Sequence, residues 1–162
     1  MRDSTYGEYT PQMAYIAGME PARHPIPRPS DPEAAGREDP RTRERLSAPA
    51  MRAFLALIEQ WDLSVAQAQG LLGWIGASTL HKYKSGGKIG TLSYDLLTRI
   101  SLCLGIYKAL HTFFAEPALA DRWIKLPNSN ALFGGQAPIE LMIHGGIDGL
   151  HQVRRLLDAR LQ

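Results

Sequence analysis

A single cysteine, Cys103, in 162 residues rules out an intramolecular disulfide framework and agrees with a reducing compartment. Its neighbours Ile100, Leu102 and Leu104 are apolar, so a buried, inert thiol is expected. No apolar run approaches the ~18 residues that a membrane span needs. Met1 to Glu20 mixes charges with tyrosines and has no apolar secretion core, so no targeting segment is expected and the chain is assigned to the cytoplasm. The net charge of +2 points to no polyanionic partner by itself; only its distribution can. Catalytic sets are equally scarce. His24, His81, His111, His144 and His151 are scattered, and a glycine break separates the last two. With one cysteine and no His-x-x-x-His pair, no zinc site is expected. Gly134-Gly135 and Gly145-Gly146 lack the strand context and the Lys-Ser/Thr of a phosphate loop. Glu140 is a lone acid at a helix start, where capping and the dipole account for it. No catalytic residue, metal or cofactor is expected, and the chain reads as a non-enzyme.

What the sequence does contain is unevenly spread. Eight of the 11 prolines fall by Pro49. From Pro21 to Arg45 the chain is rich in Pro, Arg, Asp and Glu and poor in large apolar residues, so residues 1–46 are expected to be a largely disordered tail. Tyr6, Tyr9, Met13, Tyr15 and Ile16 are either a short adhesive peptide or an unstructured start. Order is expected from Ser47, read as an N-cap with Pro49 in the first turn. Met51, Phe54, Leu55, Leu57 and Ile58 then recur at helical spacing up to Trp61. Ser64 caps a second helix closed at Gly73, and a third begins at Ser78 and stops at Ser85-Gly86-Gly87. Ser93 caps a longer helix to Phe114, with a possible bend at Gly105, and Pro117 opens a short one. After a turn-rich stretch from Pro127, Pro138 starts another helix, Gly145-Gly146 ends it, and a final amphipathic helix runs from about Ile147. No stretch shows sustained β alternation. The fold class is all-α: a helix-turn-helix bundle over 47–115 and a small helical C-terminal domain over 116–162, behind the Pro-rich tail.

Residues 64–86 have the short helix, turn, short helix order that lays a second helix across the DNA major groove. The turn, Gly73-Trp74-Ile75-Gly76-Ala77, is longer than the tightest form. From Ala77 to Lys108 there are five cations (Lys82, Lys84, Lys88, Arg99, Lys108) against one acid, Asp95. Such a local excess supplies phosphate attraction, and five contacts would give a log K against log salt slope of about −4.5. Ser78, Thr79, His81 and Lys82 are the candidates for base edges, and Lys84 and Lys88 for phosphates. The structural alternative is a solvated helix that happens to be basic.

The segment Ala131-Leu-Phe-Gly-Gly-Gln-Ala-Pro-Ile-Glu-Leu-Met, followed by Gly-Gly and an amphipathic helix, resembles the C-terminal domain of MbcA/ParS/Xre-type antitoxins. Asn128 or Asn130, Phe133, Gly134, Gly135, Pro138 and Leu141 hold the matching positions, and the resemblance extends over about residues 50–162. On the residues alone, Gly134-Gly135 permit positive φ, Phe133 pins the turn to the core and Pro138 fixes φ for helix entry, all structural roles. The resemblance implies a non-enzymatic antitoxin that binds a cognate toxin, often of the RES-domain type that destroys NAD, and binds operator DNA as a homodimer or a toxin–antitoxin hetero-oligomer. By the same resemblance Arg154, Arg155, Arg160, Leu161 and Gln162 are the candidates for toxin contact. Two other readings stand beside it: a stand-alone transcription regulator whose C-terminal unit only dimerises, and an interaction module that reads no DNA.

Overall fold

The computed structural model describes residues 36–161, and its described part is helical throughout: α1 (Pro40–Gln60), α2 (Val65–Leu71), α3 (Ala77–Lys84), α4 (Tyr94–Phe113), α5 (Pro117–Trp123), α6 (Pro138–His144) and α7 (Gly146–Asp158). No strand occurs among the described residues. The tail expectation for residues 1–35, the tyrosine-bearing peptide included, lies outside them, as does Gln162.

The expected start of order at Ser47 is corrected. α1 begins at Pro40, with Asp39 as N-cap accepting the Thr42 amide at 2.9 Å and Pro40 in the first turn. Proline costs nothing there because first-turn amides have no intrahelical acceptor. The turn ahead of it is also anchored: Arg37 is buried and donates to the Ser101 hydroxyl at 2.8 Å. Ser47 is no cap. It sits inside α1, where its hydroxyl donates to the Arg43 carbonyl at 2.6 Å and accepts the Leu92 amide at 2.8 Å. That second bond ties the loop before α4 to α1. Pro49 removes one rung of the ladder, but it lies on the exposed side and α1 continues past it.

The remaining elements begin and end where local chemistry says they should. Ser64 and Gln67 form a reciprocal capping box at α2, satisfying two amides that a helix start would leave bare. Ser93 accepts the Leu96 amide at 3.1 Å and Asp95 lies in the first turn of α4. Pro117 and Pro138 open α5 and α6. The bend considered at Gly105 does not occur, and α4 is hydrogen-bonded continuously through it.

α4 is the axis of the fold. Leu97, Ile100, Cys103, Ile106, Ala109 and Leu110 are buried on it because α1, α5 and α7 pack around it. A helix enclosed on several sides is apolar on several sides. Met51, Phe54, Leu57, Ile58 and Trp61 of α1 meet it in the same core as Leu150, Val153 and Leu157 of α7. Each such side chain contributes about 1.5–3 kcal/mol on full burial. Burial pushes the Cys103 thiol up to about 12, so it holds its proton and packs as a small apolar group. α2 packs on α6 at Gly70, where a Cβ would lie 2.6 Å from Ile143 Cγ2, so only glycine allows that approach. No helix among the described residues is long and apolar enough to cross a membrane.

Candidate functional site

The first candidate surface is α3. Leu80, 1% exposed, anchors the helix and Tyr83 is half-buried, while Ser78, Thr79, His81, Lys82 and Lys84 are exposed and Lys88 follows, exposed, just beyond the helix. The predicted start shifts by one residue. Gly76, not Ser78, holds the N-cap position and supplies no side-chain bond. The predicted stop holds, with Gly86 and Gly87 donating to the Tyr83 and Lys82 carbonyls at 3.1 and 2.9 Å. A groove of about 410 Å³ runs beside α3, lined by Val65, Ala77, Leu80, His81, Lys84 and Ser85.

Of the five cations counted along 77–108, the structure separates two kinds. Lys82, Lys84 and Lys88 form no ion pair with another described residue, so their charge faces solvent. Arg99 is bound at 2.7 Å to Asp95, is 13% exposed, and lies under Gly73, where a Cβ would come within 3.0 Å of its Nε. It is a packing element of the α2–α3 turn. Lys108 is exposed, but on α4.

The second candidate region is the turn from Pro127 to Pro138, and its geometry is set by two buried asparagines. Asn128, 4% exposed, accepts the Asn130 amide at 2.9 Å, and Asn130, 2% exposed, accepts the Leu132 amide at 2.9 Å. Consecutive side-chain bonds of this kind mimic backbone turns and satisfy amides that could not otherwise be buried. The Phe133 amide donates to the Asn130 carbonyl at 2.9 Å, and the Asn128 amide reaches across to the Gln136 carbonyl at 3.1 Å. Gly134 and Gly135 follow at φ 57° and 83°, the left-handed region that favours glycine. Phe133 is buried edge-on against Trp123, with ring centroids 5.8 Å apart at 81°. Pro138 is buried at the start of α6, and the Ile139 amide donates to the Ile124 carbonyl at 2.9 Å, locking the turn to the end of α5.

The final helix carries the remaining candidates, and they do not form one set. Arg154 is paired with Asp158 at 2.8 Å and crosses α4 at Gly105, where any Cβ would collide with its guanidinium. Arg160 is half-buried. Arg155 is exposed and forms no ion pair with a described residue, and Leu161 is 42% exposed. Gln162 lies outside the described residues.

Two features escaped the sequence reading. A cleft of about 190 Å³ is lined by Leu132, Phe133, Gln136, Ala137, Glu140, Leu141, His144 and Gly145. Glu140 and His144, one turn apart on α6, pair across its rim at 3.4 Å. Their i, i+4 spacing was the available signal. The other is Trp74, 61% exposed at φ 65°.

Residues 109–161 match the family model described as the antitoxin Xre/MbcA/ParS C-terminal toxin-binding domain. That segment runs from the end of α4 to the end of α7 and contains the whole asparagine-built turn and the cleft. The chain is also 37% identical over 110 residues to the uncharacterised protein y4oB of Sinorhizobium fredii, an alignment that covers 68% of this chain and 82% of that one. The residues that made the resemblance (Asn128, Asn130, Phe133, Gly134, Gly135, Pro138) thus build one buried turn inside the matched segment, and the chain belongs to the Xre/MbcA/ParS antitoxin family, with that family's toxin-binding domain over residues 109–161.

Proposed function

We propose that the protein is the antitoxin of a type II toxin–antitoxin pair, without catalytic activity of its own, which captures a toxin of the RES-domain, NAD-destroying class and represses its own operon in the cytoplasm. Toxin capture belongs to residues 116–162, with Arg155 and Leu161 as the contacts left open to a partner and Arg154, Arg160 and Gln162 beside them. Operator binding belongs to residues 47–115. Ser78, Thr79, His81 and Lys82 face base edges, and Lys84 and Lys88 meet phosphates, in a homodimer or a toxin–antitoxin hetero-oligomer.

The match of residues 109–161 to a toxin-binding domain carries the first half of this reading. The second half rests on three lysines with no ionic partner among the described residues, on or just after an eight-residue helix held by one buried leucine. Co-expression with the adjacent reading frame, followed by affinity capture, tests both. A stoichiometric complex whose partner is toxic alone, and which retains its own upstream DNA, is the expected result. Tight DNA binding with no protein partner would replace the reading with a stand-alone regulator whose C-terminal unit dimerises.

A further inference from the structure

α2 ends in a manner that spends conformational strain on an exposed side chain. The Gly73 amide donates to the Gly70 carbonyl at 3.1 Å and the Trp74 amide to the Gln69 carbonyl at 2.6 Å, closing the last turn. Gln69 Nε2 then holds the Ile75 carbonyl at 2.7 Å. Together these bonds keep Trp74 at φ 65°, a region that bulky side chains rarely adopt. Burial does not repay this conformation, because the indole is 61% exposed, the most exposed of the large apolar side chains among the described residues. Trp61 and Trp123, by contrast, are 1% and 2% exposed. A backbone outlier that presents a tryptophan to solvent is an observation from which function can be inferred.

The direction of that presentation is specific. The ring next to the indole is His144 of α6, with centroids 6.4 Å apart and planes tilted by 38°. His144 pairs with Glu140, and both line the cleft whose apolar wall includes Leu132 and Leu141. The seating of α2 on α6 through Gly70 and Ile143 fixes the indole at this place. Every residue lining the cleft falls within the segment matched to a toxin-binding domain, whereas Trp74 lies 35 positions before that segment begins at residue 109.

We infer that the toxin is held by a composite surface, in which Trp74 from the α2–α3 turn is the anchoring side chain and the Glu140–His144 rim of the cleft is its polar border. This rests on the toxin-capturing reading above. The occupant is the toxin because the surface is continuous with the toxin-binding segment. The toxin face that fits has an apolar socket for the indole and a hydrogen-bond donor for the Glu140 carboxylate. Exposed tryptophans that become enclosed at an interface are the commonest energetic anchors of such contacts.

The test uses the full chain and the product of the adjacent reading frame, with dissociation constants measured by calorimetry for the wild type, Trp74→Gly and His144→Ala. Glycine accepts the positive φ, so Trp74→Gly is expected to melt no lower than the wild type. Its toxin affinity is expected to fall by about 30-fold or more, the scale of an anchoring residue, and that of His144→Ala by less. Toxin affinity of Trp74→Gly within threefold of wild type overturns the inference and leaves the antitoxin reading intact. If that unchanged toxin affinity comes with weaker operator binding, or with a change in the mass of the toxin-free protein, the indole faces DNA or a second copy, and the inference is equally overturned. Failure of the wild type itself to bind removes the antitoxin reading and the inference with it.

Discussion

The α3 surface and the 127–138 turn are built in opposite ways. In the turn, side-chain bonding is spent inward: Asn128 and Asn130 are buried and occupied, and Phe133 and Pro138 are packed. On α3 one leucine is buried and the lysines are left without ionic partners among the described residues. The residues that make a family recognisable are therefore not the ones that touch a partner. A turn whose geometry depends on two buried amides and two positive-φ glycines tolerates few substitutions, while a contact surface needs only exposure and charge.

The comparison breaks most visibly at Phe133. Phe133→Ala removes a buried ring from Trp123 and should cost about 3–5 kcal/mol, read as a lower denaturation midpoint, with toxin capture lost as the turn disorders. A stable variant would mean that the asparagine bonds alone hold the turn. Next in size, and purely functional, is Lys82→Ala with Lys84→Ala and Lys88→Ala. Stability and toxin capture should be unchanged, because these side chains are exposed. Operator affinity should fall, and the log K against log salt slope should become shallower by about 2.7 per chain, at about 0.9 for each lost phosphate contact. The structure reduces the five expected contacts to three because Arg99 is already paired with Asp95 and Lys108 stands on another helix. An unchanged slope, measured by filter retention across salt, would remove α3 from the DNA reading.

Smaller effects separate the two arginines of α7. Arg155→Ala should weaken toxin binding without moving the melting temperature, since Arg155 is exposed and pairs with no described residue. Arg154→Ala should do the reverse. Its half-exposed pair with Asp158 is worth up to about 1 kcal/mol, and the packing of its stem over Gly105 adds to that. If both variants lost affinity equally at unchanged stability, Arg154 would be released from α4 in the complex.

How much of this was legible in sequence depends on the range of the forces involved. Ser64, Ser93, Pro117, Pro138 and the Gly86-Gly87 stop act within one helical turn of themselves, so the elements they bound were readable. The start of α1 was not, because its Pro- and Arg-rich composition resembles that of a tail and its anchors are distant. Arg37 bonds Ser101 across 64 positions, and Ser47 bonds Leu92 across 45. Gly105 suggested a bend, yet it serves the passage of Arg154, a side chain 49 positions away. The exposure of Trp74 had no sequence signature either: a tryptophan in a turn reads as core, and only its φ and its neighbour His144 say otherwise.

The smallest expected effect concerns acid. The amide and hydroxyl of Thr42 both donate to Asp39, at 2.9 and 3.0 Å, and hold its carboxyl below the usual carboxylate value. A group whose folded pKa is depressed stabilises the fold above its unfolded value, and that stabilisation disappears as pH falls through the folded value. The N-cap contribution of Asp39 should therefore be complete above about pH 5, where an ordinary aspartate is ionised, and decline below about pH 4. Asp39→Asn keeps a side-chain acceptor for the Thr42 amide but cannot titrate. The melting temperature of the wild type minus that of Asp39→Asn should be flat from neutrality to about pH 5, then shift toward the variant with further acidification. A difference that stays constant down to pH 2 would mean that the start of α1 is held by the Arg37–Ser101 anchor and not by its cap.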